Sequence, residues 1–190
     1  MSKNLSLIML IFFLSLFLSY HLYNYSINKI NEIKVEEYVE RIESFPQDTV
    51  EKENIPDNND YLGIILIPKI NVKNFFYNFD DSKNNVNQNV QLLSNSEMPD
   101  VKGSSILLAA HSGNSYLGYF KNLYKLTLGD KIIIYYQNKP YEYYVNEIYE
   151  QEKDGNITYH KNSNDNLLIL TTCSGKDKQL IITAKLKINE

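Results

Sequence analysis

The chain has one cysteine, Cys173, and three histidines, His21, His111 and His160. A thiol with an imidazole is the smallest set of side chains that runs nucleophilic catalysis: sulfur attacks, and the ring manages the leaving-group proton. Cys173 follows the apolar run Leu167–Thr172, and a short polar loop separates it from a second apolar run, Leu180–Leu186. A free cysteine is just as often a small buried hydrophobe, and this stretch alone leaves both readings open. His111 also follows an apolar run, Ser104–Ala110 (SSILLAA). Taken alone it reads as a structural histidine. A histidine and a cysteine each at the tip of a strand shift the balance toward chemistry. His160, in a polar stretch, reads as a surface residue.

Composition narrows the remaining classes. A single cysteine excludes intramolecular disulfides and multi-cysteine zinc sites. The histidines lie far apart in sequence, so neither a metal nor another cofactor is expected. The net charge of -4 offers no basic surface for nucleic acid. At 190 residues and 43% hydrophobic, the chain is sized for one folded domain with an appendage.

The elements that must position the pair follow in chain order. Residues 1–26 read as an uncleaved signal anchor. Leu5–Tyr20 is nearly unbroken Leu, Ile, Phe and Ser, and with His21–Tyr25 it reaches about 20 residues, enough to cross a bilayer core. Leu18–His21 offers no small-residue cleavage site, and Tyr20, Tyr23 and Tyr25 resemble an interfacial aromatic belt. Lysines lie on both sides of the span, so charge barely sets its orientation; export of the C-terminal part is the expectation. Residues 27–60 form a connector. Ile27, Ile30, Ile33, Tyr38 and Ile42 stand at roughly helical spacing, which fits a helix on the domain or a solvated stalk. The polar, acidic stretch Pro46–Asp60 reads as a linker.

Residues 61–190 carry a mainly β pattern. Eight short runs rich in Ile, Val and Tyr are broken by turn residues: Tyr61–Ile67, Ile70–Tyr77, Asn89–Leu93, Ser104–Ala110, Lys131–Tyr136, Tyr141–Tyr149, Leu167–Thr172 and Gln179–Leu186. Ser115–Leu126 alone has a helical face. The pattern predicts an eight-stranded β-barrel with one or two short helices, since closure removes exposed edges. The Asn-rich segment Asn84–Asn89 reads as a solvated loop.

These residues resemble the sortases, bacterial cysteine transpeptidases. Ser105–His111 (SILLAAH) is similar to the family's strand leading into its histidine. Tyr119–Ile132 (YFKNLYKLTLGDKI) resembles its helix and Leu-x-x-Gly-Asp turn, and Ile169–Cys173 (ILTTC) its Thr-Leu-x-Thr-Cys motif, with Ile169 in place of threonine. The resemblance implies a sortase-like barrel. It also implies a membrane-anchored enzyme that cleaves a C-terminal Leu-Pro-x-Thr-Gly type signal and passes the acyl group to a cell-wall amine. Sorting-signal proteins, a peptidoglycan-precursor amine and the membrane become the expected partners, without nucleic acid. It further implies Cys173 as nucleophile, His111 as general acid and base, and Thr172 as a substrate-positioning residue.

The family's arginine is missing. Arg41 is the sole arginine and lies in the connector; the matching position at the last strand is Gln179, which the resemblance makes the third catalytic residue, holding substrate backbone and oxyanion by its amide, with Lys178 beside it as a charged candidate. Gln151–Asn166 lacks the periodicity of the helix that class B sortases insert. No apolar segment follows Leu186, and no Asp-Pro-aromatic lid precedes His111, so a class A, D or E-like architecture is expected rather than a pilin-polymerising class C one. A thiol hydrolase and a membrane-tethered binding module with a structural cysteine are the competing readings.

Overall fold

The eight apolar runs become eight strands of one sheet in the computed structural model, which describes residues 2–44, 61–113 and 117–187. In chain order they are β1 (Gly63–Ile67), β2 (Val72–Phe76), β3 (Gln91–Leu92), β4 (Ser105–Ala109), β5 (Lys131–Tyr136), β6 (Lys139–Glu152), β7 (Leu167–Ser174) and β8 (Lys178–Leu186). Their order in the sheet is β2-β1-β5-β6-β8-β7-β4-β3. The two outer strands are brought together by a parallel bridge between Phe76 and Val90, so the sheet nearly closes into a barrel. Each pairing is antiparallel except β4 with β7, which is parallel.

Alternation sorts the side chains. Along β7, Leu168 and Leu170 enter the main core with Phe76, Ile106, Phe120, Ile134, Tyr143 and Ile182. Their neighbours Leu167 and Ile169 face outward and join Leu107 and Ile181 in a separate cluster, partly covered by Leu93, Tyr149, Ile157 and Tyr159. The run is therefore apolar on both faces because both are covered.

A single helix, α1, runs from Ser2 to Ser44. From Leu5 to Leu22 its large apolar side chains expose more than half of their surface, and the helix is long and apolar enough to cross a membrane. Its last turns dock on the barrel. Val35 and Tyr38 are buried against Ile64, Phe75 and Tyr135, with Val39 and Ile42 alongside, the spacing of one helix face. The connector is thus a docked helix. Ile27, Ile30 and Ile33 stay exposed; the first contact is polar, Tyr119 Oη donating to Asn28 Oδ1 at 3.1 Å, and the apolar docking face begins at Val35. Polar contacts fix the phase: Tyr135 Oη donates to Glu43 at 2.8 Å, Tyr38 Oη donates to Asn138 Oδ1, and Lys73 pairs with Glu36. The linker expected at Pro46–Asp60 lies outside the described residues.

The helix expected at Ser115–Leu126 is not an α-helix over its described part. Residues 117–122 are turns, followed by one 3-10 turn, Leu123–Lys125. The apolar face is real, with Phe120, Leu123 and Leu126 buried, but Gly118 and Asn122 interrupt too short a stretch for a helical nucleus. A second 3-10 turn, Pro68–Ile70, replaces the start of the second strand, since proline presets its first residue. Downstream, Leu126–Asp130 closes on itself. Asp130 Oδ2 accepts Thr127 N at 2.6 Å and Lys69 Nζ at 2.7 Å, and Gly129 takes φ +84°. Burial alone would raise the Asp130 carboxyl, but these donors hold it below the ordinary aspartate value.

Candidate active site

The parallel β4–β7 ladder sets the geometry. It runs from Ser105 against Leu167 to Ala109 against Thr171. Two more bonds extend the pairing: Ala110 N donates to Thr171 O at 3.3 Å, and Thr172 Oγ1 donates to Ala110 O at 2.7 Å. The same register carried two residues on sets His111 against Cys173, and neighbouring strands lie about 4.8 Å apart. By alternation both residues share the outward face of Leu107 and Ile169. Cys173 is a free thiol, half-buried. His111 is half-buried as well.

Each side chain has neighbours that fix it. His111 Nε2 lies 3.1 Å from Asn87 Oδ1, and Phe120 N donates to the His111 carbonyl at 3.1 Å. The Asn84–Asn89 segment is therefore not a solvated loop. Asn84 is buried and bonds both ways to the backbone of Leu92, accepting its N–H at 2.7 Å and donating to its carbonyl at 3.0 Å. That clamp delivers Asn87 to the imidazole. Thr172 is buried, and its hydroxyl is used in tying the tips of β4 and β7 together.

On the other side of Cys173 stands β8. A tight turn with Gly175 at φ +75° returns the chain, and Gln179 pairs directly with Cys173. The side chain of Gln179 works on the loop after β6. Its Nε2 donates to Asn156 O at 2.7 Å and Glu152 O at 3.4 Å, while Oε1 accepts from Thr171 Oγ1 at 3.4 Å. Gln151 Nε2 holds the same Asn156 carbonyl at 2.6 Å. Lys178 turns to the opposite face, where its Nζ lies 3.6 Å from Glu150 Oε2, and Ser174 Oγ donates to the same carboxylate. Arg41 packs over the Tyr38 ring at 5.3 Å, within the α1 docking cluster. His160 is exposed.

A cation does reach the thiol. Lys153 Nζ donates to Cys173 Sγ at 3.3 Å. Sequence reasoning missed it because Lys153 lies 20 positions from Cys173, in a stretch of mixed charge, and becomes its neighbour only through the β6–β8–β7 register. Asn87 was missed for the same kind of reason.

A model of the Sortase domain matches residues 65–187. The chain belongs to the sortase family. A sortase is a cysteine transpeptidase, and the one cysteine of this sortase is Cys173. Solved structures share the fold. Sortase C1 from Streptococcus agalactiae is 20% identical with a TM-score of 0.62, over 83% of this chain and 99% of that one. A Clostridium perfringens sortase D5 transpeptidase is 23% identical with a TM-score of 0.61, over 84% and 99%. Sortase A from Corynebacterium diphtheriae, as a lid mutant, is 19% identical with a TM-score of 0.60, over 87% and 96%. No curated protein matches the sequence significantly.

These likenesses correct the subclass expectation. Most of the similar structures are class C sortases, so the exclusion of that class does not hold. It rested on a lid motif and a C-terminal tail, which lie outside the strands; the barrel itself carries the likeness.

Proposed function

We propose that this sortase is a membrane-anchored transpeptidase that cleaves a C-terminal LPxTG-type sorting signal and transfers the protein to a cell-wall amine. The observation that supports the reading is the β4–β7 register, which ends at Ala109 against Thr171 and, carried two residues on, would bring His111 level with Cys173. The Cys173 thiol proton passes to His111, the sulfur attacks the scissile carbonyl carbon, and the carbonyl electron pair moves to oxygen. As the tetrahedral species collapses, the C–N bond breaks and His111 gives its proton to the departing amine, leaving a thioester. An incoming amine then attacks the thioester; His111 takes its proton and the sulfur leaves.

Thr172 acts by holding the two strand tips in register. Gln179 positions substrate by fixing the loop beyond β6, whose Ile157 and Tyr159 cover the outward cluster beside the thiol. Lys178, paired with Glu150, is the weaker candidate. The α1 span holds the protein in a bacterial cell membrane as a single pass, with the barrel outside. Sorting-signal proteins and a peptidoglycan-precursor amine are the partners.

The test uses the full chain in detergent micelles with quenched sorting-signal peptides. Cleavage that an added amine diverts to a ligated product supports the transpeptidase. Cleavage indifferent to amines makes it a hydrolase, and no turnover with no thioester adduct across a broad panel makes it a binding module. Protease applied to intact cells should remove the barrel; its protection would reverse the topology.

A further inference from the structure

The domain from residue 61 onward holds no arginine, yet an ammonium stands on the thiol. We infer that Lys153 is the catalytic cation of this site: it holds negative charge on Cys173 sulfur and on the carbonyl oxygen that forms beside it. The inference rests on the reading of Cys173 as nucleophile.

Three observations carry it. The first is contact. Lys153 Nζ lies 3.3 Å from Sγ, within the range of an N–H donor to sulfur. The second is placement. Lys153 N donates to Asp177 O at 2.9 Å, which extends the β6–β8 ladder one step past Glu152 and Lys178. The lysine is therefore fixed by backbone at the open end of the sheet, two residues beyond Gln151, which pairs with Gln179, which pairs in turn with Cys173. It comes from the same face as the thiol.

The third is charge balance. Of the carboxylates around it, Glu150 is engaged by Ser174 and Lys178, and Asp154 Oδ1 accepts Asn156 N at 2.9 Å. Among the described residues Lys153 enters no ion pair with a carboxylate, so its charge stays available to the site. Neither sequence-derived candidate matches this. The Gln179 amide is committed to Asn156 and Glu152, and Lys178 is on the other face. Lys153 is exposed, so solvent and salt weaken its field until a peptide covers it.

The experiment compares full-length wild type, Lys153→Met and Lys153→Arg in micelles, with two readouts. Iodoacetamide alkylation of Cys173 at fixed pH needs no sorting substrate. Because the thiolate is the reacting form, Lys153→Met should slow it about tenfold, as expected for one charged hydrogen bond. Lys153→Arg should restore it to within about threefold, and 1 M salt should shrink the difference. On a sorting peptide, Lys153→Met should lower kcat about 10²-fold with KM little changed. Alkylation in the Met variant as fast as in wild type, with an unchanged circular dichroism spectrum, overturns the assignment. So does an Arg variant as slow as the Met variant. If wild type cleaves no peptide, the proposed function fails, while the alkylation arm still decides Lys153.

Discussion

Two flanks of the barrel do opposite work. On the β1–β2–β5 flank, α1 buries Val35 and Tyr38 over Ile64, Phe75 and Tyr135, and the polar groups there tie helix to sheet. On the β4–β7–β8 flank the apolar cluster stops at Ile169 and Ile181. Beyond it, Cys173, His111, Lys153 and Gln179 form a polar, half-open rim. The first flank resembles an ordinary protein interior and holds the fold. The second leaves its last residues only partly covered, as the proposed chemistry requires. A thiol with a cation and an imidazole near it is poorly placed for stability and well placed for reaction.

If that division is right, substitutions on the rim change rate without changing stability, and those on the docked flank do the reverse. The largest effects belong to Cys173→Ala and His111→Ala. The first should abolish peptide cleavage and the second lower kcat by about 10³-fold, both with wild-type melting temperature. Full activity in either would remove the pair, and a melting shift of many degrees would make the rim part of the core. Next comes Phe75→Ala, which should cost about 3–5 kcal/mol in denaturant unfolding while the folded fraction keeps its kcat. Loss of kcat there would couple the two flanks.

Gln179→Ala should cost about tenfold in kcat/KM, mostly through KM, because it releases Asn156 and the loop that covers the outward cluster. Lys178→Ala should cost less, and the reverse order would give the role to Lys178. The smallest effect is at Asp130. Its carboxyl sits below the ordinary value of 3.8, so its contribution is fully present above that value and is lost as pH falls through the lowered one. Asp130→Asn should cost about 1 kcal/mol at neutral pH and flatten the acid limb of a stability–pH curve below pH 3.8. An unchanged limb would show that the turn needs no charge.

The strands could be read from the sequence because each is a local matter: an Ile, Val or Tyr run bounded by Pro68 or Gly129-Asp130; of the turn read at Asn138-Lys139-Pro140 only Asn138 turns, with Gln137, while Lys139 and Pro140 open β6. Lys131–Tyr136 was found to the residue. Cys173 and His111 were picked out by their places at two strand tips, and the family resemblance supplied their expected roles; nothing local brings strand tips 62 residues apart together. The remaining parts of the rim were invisible for a related reason. Asn87 and Lys153 sit in polar stretches where any asparagine or lysine looks solvated, and only the registers between distant strands make them neighbours of His111 and Cys173. The helix docking face was legible in its second half: Tyr38 and Ile42 do pack on the barrel. Ile27, Ile30 and Ile33 were read on the same face yet stay exposed, and the apolar contact starts at Val35, which was not read. The subclass expectation failed because it was drawn from appendages rather than from the barrel.

One continuous helix joins the apolar segment to the barrel, and its consequence is mechanical. No hinge interrupts the helix between Tyr25 and Val35, and the barrel already grips it at Asn28, whose Oδ1 accepts from Tyr119 Oη at 3.1 Å. A domain on a slack leash would sweep a hemisphere; this one is a crank, at fixed height, that turns only as its shaft turns. If α1 is the membrane anchor proposed above, the rim traces a ring at constant distance from the lipid, and a substrate is met only if its own tether presents the cleavage point on that ring.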